Sequence, residues 1–121
     1  MPRILLVDDD ADVLSFMSDT LTGRGYDLRV LQNSSDAAAV LERETFDLII
    51  TDIVMPRVHG LQILESAKRR NPSARVVFVT GHPHRDIVRE GFDRGAFTVL
   101  EKPFPVDALL ETVDRALRRE S

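Results

Sequence analysis

The stretch Ile4-Leu5-Leu6-Val7-Asp8-Asp9-Asp10 decides how this chain is read. Four apolar residues in unbroken succession mark a strand covered on both faces, as in a parallel sheet; strict alternation would mean one wet face. Acidic residues follow at once. Working outward, Leu48 to Ile50 and Val76 to Val79 repeat the doubly covered pattern. Tyr26-Asp27-Leu28-Arg29-Val30 alternates instead, as an edge strand does. Phe97 to Leu100 is a fifth strand of more mixed character.

Helical patterns separate these runs. Val106, Leu109, Leu110, Val113 and Leu117 make one apolar stripe, with Glu111, Asp114, Arg115 and Arg118 opposite. Val13, Leu14, Met17 and Leu21 make another, with Asp10 and Asp12 near the helix start, where the dipole favours negative charge. Helices around residues 35–43, 59–70 and 84–93 complete five βα repeats, stopped by Gly23, Gly25, Asn71-Pro72 and Gly95. Such alternation predicts an α/β fold, a flavodoxin-like (βα)5 doubly wound parallel sheet of strand order 2-1-3-4-5. The alternating second strand falls at an edge in that order. With 121 residues and no linker or repeat, one domain over 1–121 is expected, without an effector domain.

Composition narrows the function. Sixteen Lys+Arg against twenty Asp+Glu give a formal charge of −4, which argues against direct nucleic-acid binding. The absence of cysteine excludes disulfides, thiol catalysis and cysteine zinc sites. The longest apolar run, Ala37 to Leu41, is far too short to span a membrane, and the N-terminus lacks a signal-peptide pattern.

Doubly wound sheets bind ligands beyond the carboxyl ends of their strands, where the strand order reverses. Asp8 and Asp9 follow strand 1, Asp52 follows strand 3, Thr80 strand 4 and Lys102 strand 5. Three carboxylates in one cleft repel one another, and a hard divalent cation such as Mg²⁺ relieves that. Carboxylates, Mg²⁺, an ammonium and a hydroxyl together suit a phosphoryl group in transfer, with Asp52 as its nucleophile.

These pieces, Leu6-Val7-Asp8-Asp9-Asp10, Asp52-Ile53-Val54-Met55-Pro56 with Gly60, Thr80-Gly81 and Lys102-Pro103-Phe104, make the chain resemble a response-regulator receiver domain along essentially its whole length. The resemblance implies a cytoplasmic, bacterial signalling switch rather than a turnover enzyme. A sensor histidine kinase or phosphotransfer protein would phosphorylate Asp52. Asp8, Asp9, Asp52 and the backbone carbonyl of Val54 would hold Mg²⁺, or Mn²⁺ in its place. Thr80 corresponds to the switch hydroxyl, Lys102 to the phosphate-contacting lysine, and Pro103 to a proline after a cis peptide. A homodimer through the fourth helix, fifth strand and fifth helix is compatible with it.

The chain departs from the family at Val99, where an aromatic ring usually swings inward; Phe97, two residues earlier on the same strand face, is the nearest substitute. Val54 and His82 occupy the positions that tune dephosphorylation. An apolar Val54 offers an attacking water no hydrogen bond, so slow hydrolysis is expected. The alternatives are a phosphate-independent interaction module and a Mg²⁺-dependent aspartyl-phosphate phosphohydrolase. Asp10 and Asp12 read as helix-capping residues. His82 and His84 read as exposed loop histidines, and the basic runs Lys68-Arg69-Arg70 and Arg115, Arg118, Arg119 as helix-end charge. A calcium loop starting at Asp8 fails because its sixth position holds Val13 where glycine is needed.

Overall fold

A computed structural model of the chain describes residues 2–53, 59–81 and 85–118. Five strands, β1 (Arg3–Val7), β2 (Asp27–Leu31), β3 (Leu48–Asp52), β4 (Arg75–Thr80) and β5 (Thr98–Glu101), form one sheet in the order β2-β1-β3-β4-β5. All four pairings are parallel. The helices are α1 (Ala11–Thr22), α2 (Ala37–Arg43, after a 3₁₀ turn at Ser34–Asp36), α3 (Gly60–Arg70), α4 (Arg85–Asp93) and α5 (Val106–Leu117). None of the described helices is long and apolar enough to cross a membrane.

The unbroken apolar strands follow from a helical layer on each side. Leu5, Val7, Ile49, Val76 and Phe78 pack towards α2, α3 and α4, meeting Val40, Leu41, Ile63, Leu64 and Ala67. Their neighbours Ile4, Leu6, Leu48, Ile50, Val77 and Val79 pack towards α1 and α5, meeting Leu14, Met17, Leu21, Leu109 and Val113. Successive strand side chains point to opposite faces, so Ile4 to Val7 of β1 and Leu48 to Ile50 of β3 each find apolar partners on one side or the other.

Two details differ from the sequence pattern. On α5 the buried row is Leu109, Thr112, Val113 and Ala116, and Val106, at the helix start, is 42% exposed. On β2, Val30 is also 42% exposed, because an edge strand has a single neighbour and the helical cover stops short of it.

The helix ends follow local chemistry. Asp10 caps α1, its Oδ1 accepting from Asp12 N at 2.9 Å and Val13 N at 3.3 Å. His59 Nδ1 accepts from Leu61 N at 3.1 Å, while Gln62 Oε1 accepts from His59 N at 2.9 Å, so cap and first turn of α3 hold each other. Far from the carboxyl ends of the strands, Arg3 joins Asp27 and Glu44 and lies over the Phe46 ring; Glu44 also binds Arg29.

Candidate functional site

The parallel order carries the ends of β1, β3, β4 and β5 to one edge of the sheet. Asp8, just past β1, is fully buried. Its backbone N–H donates to Leu31 O at 3.2 Å, and its Oδ1 accepts from Asp10 N at 2.9 Å. Asp10, read as a cap, therefore also orients the carboxylate two residues before it. Asp52 ends β3 and keeps only 8% exposure, whereas Asp9 is exposed. Asp8, Asp9 and Asp52 each present an oxygen within 4.8 Å of the others.

Lys102 reaches in from beyond β5. Its Nζ donates to Asp52 Oδ2 at 2.9 Å and stands 2.8 Å from Asp8 Oδ2. Lys102 N donates to Thr80 O at 2.8 Å, which ties the ends of β4 and β5 together. Thr80 is buried at the end of β4, and the Lys102–Pro103 peptide is cis. The sequence reading thus placed Asp8, Asp9, Asp52, Thr80 and Lys102 at one strand-end edge, and they are found there. Val54, His82 and His84 lie outside the described residues.

Phe97 is a correction. It precedes β5 rather than belonging to it, so strand alternation does not carry it to the face of Val99. Val99 packs with the α2–α4 core, whereas Phe97 packs with the α1–α5 core, under the guanidinium groups of Arg75 and Arg115. No ring from β5 reaches the side where Val99 lies.

Burial is the main force on the Asp8 carboxyl and pushes its pKa up; Lys102 and the Asp10 N–H offset only part of that. Burial pulls on Lys102 in the opposite sense, but the two carboxylates together outweigh it and hold the ammonium above its ordinary value. The ion pair at Asp8 Oδ2 is off the hydrogen-bond direction, and this buried oxygen has no hydrogen-bond partner among the described residues. A buried carboxylate oxygen that has an ion pair but no hydrogen bond, beside two further carboxylates, fits a hard divalent cation, which takes oxygen ligands. Next to Lys102 lies a cleft of about 480 Å³ walled by Val13, Phe16, Pro103 and Phe104, with Asp10 and Asp12 at its rim. The Phe16 and Phe104 ring centroids are 5.9 Å apart.

Comparison with known proteins agrees with this geometry. The family model for the response regulator receiver domain matches residues 4–114. The chain is 32% identical over 114 residues to the DNA-binding transcriptional regulator NtrC of Salmonella typhimurium, covering 94% of this chain and 24% of that protein. It is 34% identical over 116 residues to the nitrogen assimilation regulatory protein NtrX of Azorhizobium caulinodans, covering 94% and 26%. The chain thus spans about a quarter of the length of these curated relatives. Among solved structures, a CheY-like response regulator receiver domain protein from Methanospirillum hungatei superposes with a TM-score of 0.92 at 30% identity, over 98% of this chain and 94% of that one. The beryllofluoride-activated NtrC4 receiver domain dimer superposes with a TM-score of 0.90 at 30% identity, over the full length of both.

Proposed function

The chain belongs to the response regulator receiver domain family, the phosphorylation-activated switch of two-component signalling, and from that premise we propose that Asp52 is its phosphoacceptor. An Asp52 carboxylate oxygen attacks the phosphorus of a phosphohistidine on a sensor histidine kinase or phosphotransfer protein. The new O–P bond forms as the N–P bond breaks, and the imidazole nitrogen leaves with the electron pair. Lys102, now 2.9 Å from Asp52 Oδ2, shifts its charge to a phosphoryl oxygen, and Thr80 donates its hydroxyl to another. Asp8, Asp9, Asp52 and the Val54 carbonyl are the proposed Mg²⁺ ligands. A Mg²⁺ held by these ligands would supply neutralising charge for the transferring group.

The observation that carries this reading is the meeting of three carboxylates and one ammonium at the carboxyl ends of β1, β3 and β5. Moving a switch from mostly off to mostly on takes about 5 kcal/mol of differential stabilisation, which the new phosphoryl contacts must supply. We place the protein in the cytoplasm. Its second copy would dock on α4, β5 and α5, where Phe92 and Val106 are exposed.

The test is incubation with Mg²⁺ and acetyl phosphate, followed by intact-mass spectrometry. One phosphoryl adduct in wild type and none in Asp52→Ala supports the assignment. Continuous phosphate release from unrelated esters would make it a hydrolase, and no adduct in wild type would make it a phosphate-independent module.

A further inference from the structure

The contact that stands out away from the carboxylates is between Phe78 on β4 and Gly91 on α4. Phe78 is fully buried on the sheet face covered by α2, α3 and α4. A Cβ built on Gly91 would lie 2.6 Å from Phe78 Cε2 and 3.2 Å from Cδ2. The α4 backbone therefore rests on the ring itself, at a position where any other residue would drive ring and helix apart. Phe78 pairs in register with Val99, so a ring on β4 stands beside the small side chain on β5. Thr80 lies two residues beyond Phe78, and strand alternation puts both on the same face.

Among the described residues, little else holds α4 inward. Ile87 and Val88 are half-buried against the same core, and Phe92 is 46% exposed. Arg94, just past the helix, contacts Glu65 of α3 and Glu90 of α4, and these exposed pairs hold weakly.

We infer that Phe78 is the positioning residue through which a change at Thr80 reaches α4, its ring acting as a fixed prop under Gly91. The inference rests on the phosphoacceptor reading of Asp52, because it names how that site is read out. β4 is packed on both faces, and a close-packed interior passes on displacement instead of absorbing it. A shift of Thr80 towards a phosphoryl oxygen moves the segment that carries Phe78, and Gly91 leaves no slack between ring and helix. The helix then moves as a body, with no exchange of a ring between buried and exposed positions.

The experiment records amide NMR spectra of wild type, Phe78→Leu, Gly91→Ala and the double variant, before and after phosphorylation with Mg²⁺ and acetyl phosphate. Adduct mass is measured in parallel. Phe78→Leu should form the adduct as wild type does but lose the phosphorylation-induced shifts at Ile87, Val88 and Phe92. Gly91→Ala should displace those resonances before phosphorylation, and the double variant should bring them back, because leucine vacates the space the methyl needs. Should Gly91→Ala not fold, Phe78→Leu and the double variant decide. Full α4 shifts in phosphorylated Phe78→Leu overturn the inference and leave Asp52 as phosphoacceptor. Failure of wild type to form the adduct overturns both.

Discussion

Replacing Gly60 by alanine sets two effects of opposite sign against each other. Gly60 is the first residue of α3, where alanine would ordinarily stabilise a helix by up to about 1 kcal/mol. Here the new Cβ would lie 2.6 Å from Asp52 O, 2.8 Å from Ile53 Cα and 3.1 Å from Ile53 O. All three are backbone atoms, so no side chain can turn aside. Relief requires moving α3 off the end of β3, at the ~1–3 kcal/mol typical of overpacking. That movement also stretches the 2.6 Å hydrogen bond from Gly60 N to Ile53 O, a further loss of about 1 kcal/mol. The clash wins, and Gly60→Ala is less stable by roughly 1–3 kcal/mol. At about 4 °C per kcal/mol for a chain of this size, Tm falls by some 4–12 °C. Urea unfolding followed by circular dichroism should show a lower midpoint with an unchanged slope. Because the clash falls on the Asp52 carbonyl, adduct formation with acetyl phosphate should slow as well. Gly81→Ala, with nothing within 4 Å of its Cβ, is the control and should change stability by less than about 0.5 kcal/mol. A Gly60→Ala protein as stable as wild type, with normal phosphorylation, would refute the close approach of α3 to Asp52.

Three further outcomes follow from the same geometry. Lys102→Met leaves the Asp8 and Asp52 carboxylates without their ammonium and should destabilise the metal-free protein by about 2 kcal/mol, below the ~3–5 of fully buried pairs because Lys102 keeps 17% side-chain exposure. Mg²⁺ should then raise Tm more in the variant than in wild type, and equal shifts would contradict this. Glu44 is held below the usual carboxylate range, chiefly by its hydrogen bond from Arg3. Its stabilising contribution is present above the ordinary glutamate value of about 4.3 and is lost as pH falls through the lower folded value. Glu44→Gln should therefore be less stable than wild type at neutral pH and converge with it in acid; a constant gap in urea midpoints across that range would count against the linkage. With apolar Val54 two residues past Asp52, the phosphorylated form should outlast a chase into Mg²⁺ buffer by minutes, whereas loss of the adduct mass within seconds would sink that expectation.

What could be read in advance was whatever local pattern decides. Short unbroken apolar runs alternating with helical stripes mark doubly covered strands, and a charged residue after such a strand has the carboxyl edge of the sheet to occupy, which placed Asp8, Asp9, Asp52 and Lys102; Ala37 to Leu41 is equally unbroken but lies on α2. Asp10 was legible as a cap because capping is local. Phe97 was misplaced because the face a side chain takes depends on where the strand begins, and β5 begins one residue later, at Thr98. Val106 was assigned to the core because the stripe continues through it, but the first turn of α5 lies beyond the sheet's cover. The seating of Gly91 on Phe78 joins residues thirteen apart across two layers, and no periodicity encodes it.

The division of each strand between two separate cores means that the faces of the molecule can be wired to different instruments. The protein has no cysteine of its own, so a thiol-reactive dye attaches only where a cysteine is introduced. A dye at Ser15→Cys on α1 sits over the layer fed by Val77 and Val79, and a dye at Arg89→Cys on α4 sits over the layer fed by Phe78. Carried on two separately labelled samples, the dyes would report on the two sides of the same sheet one at a time.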